Sequence, residues 1–206
     1  MTVFEDISAI SPELTTEELL RYLIKERFPG KTVVTASLKA RSVVVLKLVA
    51  DIDPTTPVVF CTRGFRFPES AVHRQRVVEQ LGLTNVSQSE GSELEVRPGD
   101  HDHCESMWAE SEVGTGRSYE IVHLNDTLAP YECWISAVYH VPSPPEERRR
   151  VDIEGRLVRV NPMVRWSKDE VRTYMRDHKL PYHPRALRQK PAAPAADEAP
   201  PPAYHF

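Results

Sequence analysis

The stretch TVVTASLKARSVVVLKLV, Thr32 to Val49, decides how this chain is read. β-branched residues run up to Ser37, and a long apolar segment resumes after Ser42. The first half reads as a buried strand; the second is too long for a typical strand and reads as a helix despite its valines. Between them lies LKAR, a strand-to-helix turn carrying Lys39 and Arg41 where glycine is usual. In open α/β sheets, ligands bind beyond the carboxyl ends of the strands, and the first such turn is the usual phosphate site. Free N–H groups and the positive end of the helix dipole converge there. Ser37 and Ser42 bracket the turn with hydroxyls, while Lys39 and Arg41 add charge where a phosphate or sulfate would sit. With no GxGxxG fingerprint present, this pattern suits a polyanionic nucleotide better than a dinucleotide. The alternative is a solvated turn whose cations face water.

Outward from that turn, helix and strand signals alternate. TTEELLRYLIKERFPG reads as an amphipathic helix with Leu19, Leu20, Leu23, Ile24 and Phe28 on one face, stopped by Pro29-Gly30. PTTPVVFCT is a second buried strand, followed by FPESAVHRQRVVEQLGL, a helix entered through Pro68 and closed by Gly82. ECWISAVYH is a third strand, and VDIEGRLVRVNPMV a hairpin turning at Glu154-Gly155. SKDEVRTYMRDHKLPYHP opens on a capping box, Ser167 with Glu170, and stops before Pro181. Glu90 to Asn125 is polar and glycine-punctuated, a loop with short elements. The expectation is one three-layer α/β domain: a mostly parallel sheet of about five or six strands flanked by helices.

Composition bounds the partners. Residues 1–188 are expected to form the domain, and the Pro/Ala-rich residues 189–206 a disordered tail. A net charge of -4 leaves no basic footprint for nucleic acid. No apolar stretch is long enough to cross a bilayer, and MTVFEDISAISPEL lacks the features of a signal peptide. Three scattered cysteines form no disulfide framework, which predicts a cytoplasmic protein. The expected partner is a small-molecule nucleotide, with a protein partner or a homodimer left open.

A second loop, CTRGFRFPES, follows the second strand and would wall the same crevice on the adenosine side with Thr62, Gly64, Phe65 and Glu69. DHDHCE, Asp100 to Glu105, offers zinc-type ligands, but contiguous ligands rarely reach tetrahedral geometry, so no metal site is expected. Cys104, activated by His101 or His103, is a candidate nucleophile; an exposed loop with a free thiol is the plainer reading. Cys61 and Cys133 fall in buried strands and read as packing residues. EERRR, Glu146 to Arg150, reads as a solvated loop or as an arginine flap over the ligand.

Taken together, several segments resemble one family. SLKARS, Ser37 to Ser42, resembles a phosphate loop usually built as Ser-Phe-Gly followed by a small residue, a variable one and often Ser. TRGFRFPES, Thr62 to Ser70, resembles Asp-Thr-Gly-(Tyr/Lys)-Leu-Phe-Pro-Glu-Thr. LAPYECWIS, Leu128 to Ser136, resembles a Trp-containing strand preceding an arginine loop. NPMVRWSKDEVRTYMRDHKLPYHP, Asn161 to Pro184, resembles Asn-Pro-Leu-x-x-Trp-(Thr/Ser)-x-x-x-Val…(Leu/Val)-Pro-Tyr-(His/Asn)-Pro and is the most specific match. In this order, across residues 20 to 185, they resemble the phosphoadenylyl-sulfate and adenylyl-sulfate reductase family, within the adenine-nucleotide α-hydrolase-like folds.

The resemblance implies a crevice for adenosine phosphosulfate, phosphoadenosine phosphosulfate or ATP. It also implies a cysteine thiolate from a C-terminal segment attacking sulfur, and a thiol partner releasing sulfite. Here the pattern departs from the family. No cysteine follows Cys133, where a Glu-Cys-Gly-Leu-His-like motif would be expected. Ala137, Val138, Tyr139, His140, Val141 and Pro142 stand where the family continues into its arginine loop. Tyr139 and His140 are carried as candidate ligand contacts, and His140, His103 and Cys104 as candidate catalytic groups. The cysteines of an iron–sulfur cluster are missing, so none is expected. Lys39 replaces the family glycine, and either rebuilds the anion site or fills it. Three functions stay open: a diverged transferase or hydrolase of sulfonucleotides, a conventional reductase whose cysteine segment comes from elsewhere, and a nucleotide-sensing or structural subunit.

Overall fold

A computed structural model describes residues 3–62, 68–94, 118–121, 127–137 and 149–184. The expected disordered tail lies outside these residues. Within them the sheet order is β4-β3-β2-β1-β5-β7-β6, from β1 (Thr32–Ala36), β2 (Val58–Thr62), β3 (Val86–Leu94), β4 (Ser118–Ile121), β5 (Cys133–Ser136), β6 (Val151–Glu154) and β7 (Leu157–Val160). β3, β2, β1, β5 and β7 pair in parallel. β4 and β6 add antiparallel edges, which is the expected mainly parallel α/β sheet with its edges extended. β6 and β7 form the expected hairpin, closed by Gly155 at a φ of 58°.

Side-chain alternation along β1 divides the core into two layers. Val34 and Ala36 pack with Leu19 and Leu20 of α2 (Thr16–Arg21) and Leu23 of the turn that continues it, and with Val43, Leu46 and Val49 of α3 (Ala40–Ile52). Val33 faces the opposite side with Val59, Cys61, Leu128, Trp134 and Leu157. Both faces of β1 are therefore buried, which is why its sequence is a continuous β-branched run rather than an alternation. Each fully buried aliphatic side chain in these layers contributes about 1.5–3 kcal/mol over an exposed one.

The expected opening helix is built in two parts. α2 (Thr16–Arg21) starts on a capping box, Thr15 with Glu18, and passes into a π-helical turn, Tyr22–Arg27. Phe28 N–H closes that turn on the Leu23 carbonyl, five residues back, at 2.9 Å. The wider turn keeps Leu23, Ile24 and Phe28 all buried. α1 (Val3–Ile10) precedes it and is held by Arg150. The Arg150 guanidinium is buried and donates to the carbonyls of Ser11 at 2.6 Å and Leu14 at 2.7 Å. Arg150 is thus a clamp on the N-terminal segment, not part of a flap. Burial, aided by the charge of Arg165, lowers its pKa.

α4 (Pro68–Leu81) is closed by Gly82 at a φ of 65°. α5 (Lys168–Asp177) begins on the expected capping box: Glu170 N–H donates to Ser167 Oγ, and Ser167 N–H to the Glu170 carboxylate at 2.7 Å. Its Val171 and Met175 are buried in the same layer as α3.

Candidate functional site

From β1 the chain runs through α3 to β2 on one side, while β5 pairs with β1 on the other. The connectivity reverses at β1, and in such sheets the crevice beyond the strand ends at this point is where ligands bind. The turn Ser37–Lys39 sits there, between the end of β1 and the first residue of α3.

Hydroxyl bookkeeping fixes the inside of the turn. Ser42 is buried, and its Oγ donates to the Ala137 carbonyl at 2.8 Å, just past β5. Having one proton, it can only accept from its other neighbours. It accepts from Ser37 N–H at 3.1 Å and from the Ser37 hydroxyl at 3.0 Å. Ser37 Oγ in turn accepts Lys39 N–H at 3.3 Å. Both hydroxyl protons are therefore committed within the protein, and the serines shape the turn. They also tie it to β5 across the point where the connectivity reverses. Lys39 has a φ of -82° and ψ of 154°, and Lys179 is the only non-glycine residue with a positive φ among those described. A turn that never enters the left-handed region has no need of glycine.

The two cations occupy different places. Lys39 is the N-cap of α3 and is exposed, so it does not fill the turn. Arg41 is partly buried, and two guanidinium nitrogens donate to the carbonyls of Met163 at 2.5 Å and Trp166 at 2.8 Å. It straps the head of α3 to the segment before α5, and its charge stays close to the helix start. α2 and α5 both begin with acidic residues and a capping box. α3 has neither a side-chain cap nor an acid in its first turn. Its positive end thus carries no acid or side-chain cap of the helix's own, the arrangement that favours an anion.

The head of α4 lies beside this turn. Glu69 is partly buried in its first turn. Ser70 Oγ stands 3.0 Å from His183 Nε2, and the rings of His73 and His183 meet edge-to-face at 5.1 Å. His73 is 3% exposed. Burial foremost, then the neighbouring His183 and Arg76, push its pKa down to about 4. Sequence reading passed over Ser70 and His73. Their i, i+3 spacing on one helix face was the available signal.

Cys61 and Cys133 are buried, and burial pushes both thiols up to about 12. Neither supplies a thiolate near neutral pH. Thr62 closes β2, its backbone in register with Glu90. Gly64, Phe65, His103, Cys104, Tyr139 and His140 lie outside the described residues. Among the described residues no group of His, Cys, Asp and Glu side chains is placed to hold a metal ion. No helix among them is long and apolar enough to cross a membrane.

A sequence model of the phosphoadenosine phosphosulfate reductase domain matches residues 31–188. A phosphoadenosine 5'-phosphosulfate reductase of Alkalilimnicola ehrlichii is 29% identical over 168 residues, which cover 77% of this chain and 66% of that protein. An adenosine 5'-phosphosulfate reductase of Mesorhizobium japonicum is 26% identical over 182 residues, covering 86% and 70%. This chain therefore spans about two thirds of the length of these relatives. The crystal structure of a phosphoadenylyl-sulfate reductase from Candida auris, in its phosphate complex, superposes with a TM-score of 0.61. It covers 89% of this chain and 90% of that one at 16% identity, and shares the fold.

Proposed function

Since this chain belongs to the phosphoadenosine phosphosulfate reductase domain family, we propose that it binds an adenine sulfonucleotide and acts on it in sulfur metabolism. The ligand is adenosine phosphosulfate or phosphoadenosine phosphosulfate, with ATP as the related nucleotide. Its anionic end rests on the first-turn amides of α3, beside Lys39 and within the field of Arg41. Ser37 and Ser42 hold the turn open from behind, and the Thr62–Glu69 segment, with Gly64 and Phe65, walls the adenosine. Tyr139 and His140, beyond β5, face the same ligand in this reading. The observation that carries it is the uncapped, acid-free start of α3 at the reversal of the sheet.

The reaction we assign is sulfuryl or phosphoryl transfer, or hydrolysis, in place of thiolate attack by Cys61 or Cys133. One observation supports it: burial raises the Cys61 and Cys133 thiols to about 12, so neither is a thiolate near neutral pH. Product analysis tests it. Incubation with each nucleotide should release sulfate or phosphate without a thiol reductant. Thioredoxin-dependent sulfite from this chain alone would overturn it.

A second reading is favoured by the relatives' greater length. In it the chain is the nucleotide-binding part of a conventional reductase, with the cysteine-bearing segment supplied from outside these residues. Sulfite release that appears only when a cysteine-bearing partner chain is added would establish it.

A further inference from the structure

We propose that Asp152 closes the outer edge of β6 against strand addition by a second copy of this chain. Main-chain geometry at the end of the sheet opposite β4 carries this role, which is independent of nucleotide binding.

The hydrogen-bond ladder shows which groups of β6 face outward. Asn161 N–H donates to the Arg150 carbonyl at 2.8 Å, in register with the pairing of Val151 with Val160 and of Asp152 with Arg159. Bonded and non-bonded pairs alternate along an antiparallel ladder, so Asp152 and Glu154 take the bonds to β7. Val151 and Ile153 therefore turn their N–H and C=O groups away from β7, and among the described residues β6 ends the sheet. Such a row of main-chain groups is a template for another strand. The side chains beside it add apolar surface: Ile153 is 51% exposed, and α1, which packs on β6, leaves Val3 and Ile10 exposed.

One side chain interrupts that template. The Asp152 carboxylate accepts the Ile153 N–H at 2.9 Å, so a donor that an added strand would need is already satisfied. Symmetry adds a second obstacle. A second copy that uses all the outward groups of Val151 and Ile153 must pair antiparallel about Asp152, with Val151 of each copy against Ile153 of the other. Asp152 then faces Asp152 in a non-bonded pair, where the Cα atoms are about 4.5 Å apart and like charges directly opposite repel. Valine at this position would keep the main-chain bonds to β7 and remove both obstacles.

Sedimentation velocity on the full chain across a range of concentrations tests this, comparing wild type with Asp152→Val. Two freed N–H groups and one relieved charge pair per dimer should tighten self-association by about tenfold or more. Adding Ile153→Pro to that variant removes the outward N–H but none of the bonds to β7, and should return association to the wild-type level. The proline thus separates edge pairing from the apolar surface that valine adds. Hydrogen exchange at the Val151 and Ile153 amides should slow with rising concentration in Asp152→Val and be independent of concentration in wild type. If the proline variant does not fold, this exchange still decides. Association of Asp152→Val no tighter than that of wild type, or tighter association that survives Ile153→Pro, would overturn the role. So would exchange at these amides that ignores concentration in Asp152→Val, or follows it in wild type.

Discussion

Replacing Ser42 with alanine removes the hydroxyl on which the turn is assembled. Three bonds go at once: to the Ala137 carbonyl, from Ser37 N–H and from the Ser37 hydroxyl. The Ser37 hydroxyl can rotate to a new partner, but the Ser37 amide and the Ala137 carbonyl are backbone groups in buried residues. Each such group left unsatisfied costs about 1–3 kcal/mol, so Ser42→Ala should destabilise the fold by about 2–4 kcal/mol. For a chain of this size that is a fall in Tm of about 4–16 °C. Urea denaturation followed by circular dichroism reads the free energy directly, with an unchanged m-value showing that the denatured state is not at issue. A double-mutant cycle with Ser37→Ala should give a coupling of about 0.5 kcal/mol or more. A loss below about 0.5 kcal/mol, with no coupling to Ser37, would refute the claim that these serines serve the turn.

Three further perturbations follow from the same geometry. Arg150→Ala should destabilise the protein by about 2–4 kcal/mol, since it abandons the carbonyls of Ser11 and Leu14, and hydrogen exchange should rise across residues 3–16. Unchanged exchange there would contradict the clamp. The Asp53 carboxyl is held down to about 2, chiefly by its hydrogen bond from Lys25 and then by Thr55. A depressed carboxyl stabilises the fold fully above its unfolded pKa and loses that contribution as pH falls toward about 2. Asp53→Asn should therefore flatten the stability profile below about pH 4, near the unfolded pKa of Asp; an identical acid slope would count against the pair. Iodoacetamide applied to the native protein near neutral pH should leave Cys61 and Cys133 unlabelled, as peptide mass spectrometry would show, and prompt labelling of either would contradict their burial.

Much of the framework was legible because local and global signals agreed. The β-branched run Thr32–Ala36 had to be a strand buried on both faces, and Gly82, Gly155 and the Ser167–Glu170 box ended or began elements where expected. The antiparallel edge β4 was not legible, since Ser118–Ile121 carries too weak an apolar pattern to announce a strand. Nor was the π-helical turn, because a five-residue hydrogen bond leaves no mark on the spacing of Leu23, Ile24 and Phe28. At the site, the place of the turn was readable from strand–turn–helix order. The roles of its cations were not: Arg41 reaches carbonyls more than a hundred residues away at Met163 and Trp166. Likewise His73 reads as one polar residue on a surface helix until the fold buries it against His183.

Amide chemical shifts of the isotope-labelled chain, recorded during titration with adenosine phosphosulfate and separately with adenosine, test the central claim most directly. If the start of α3 receives the anion, the Ala40 and Arg41 amides should move strongly with the phosphosulfate and little with adenosine. Phosphosulfate binding that leaves these amides unmoved, with the shifts gathered elsewhere, would contradict it.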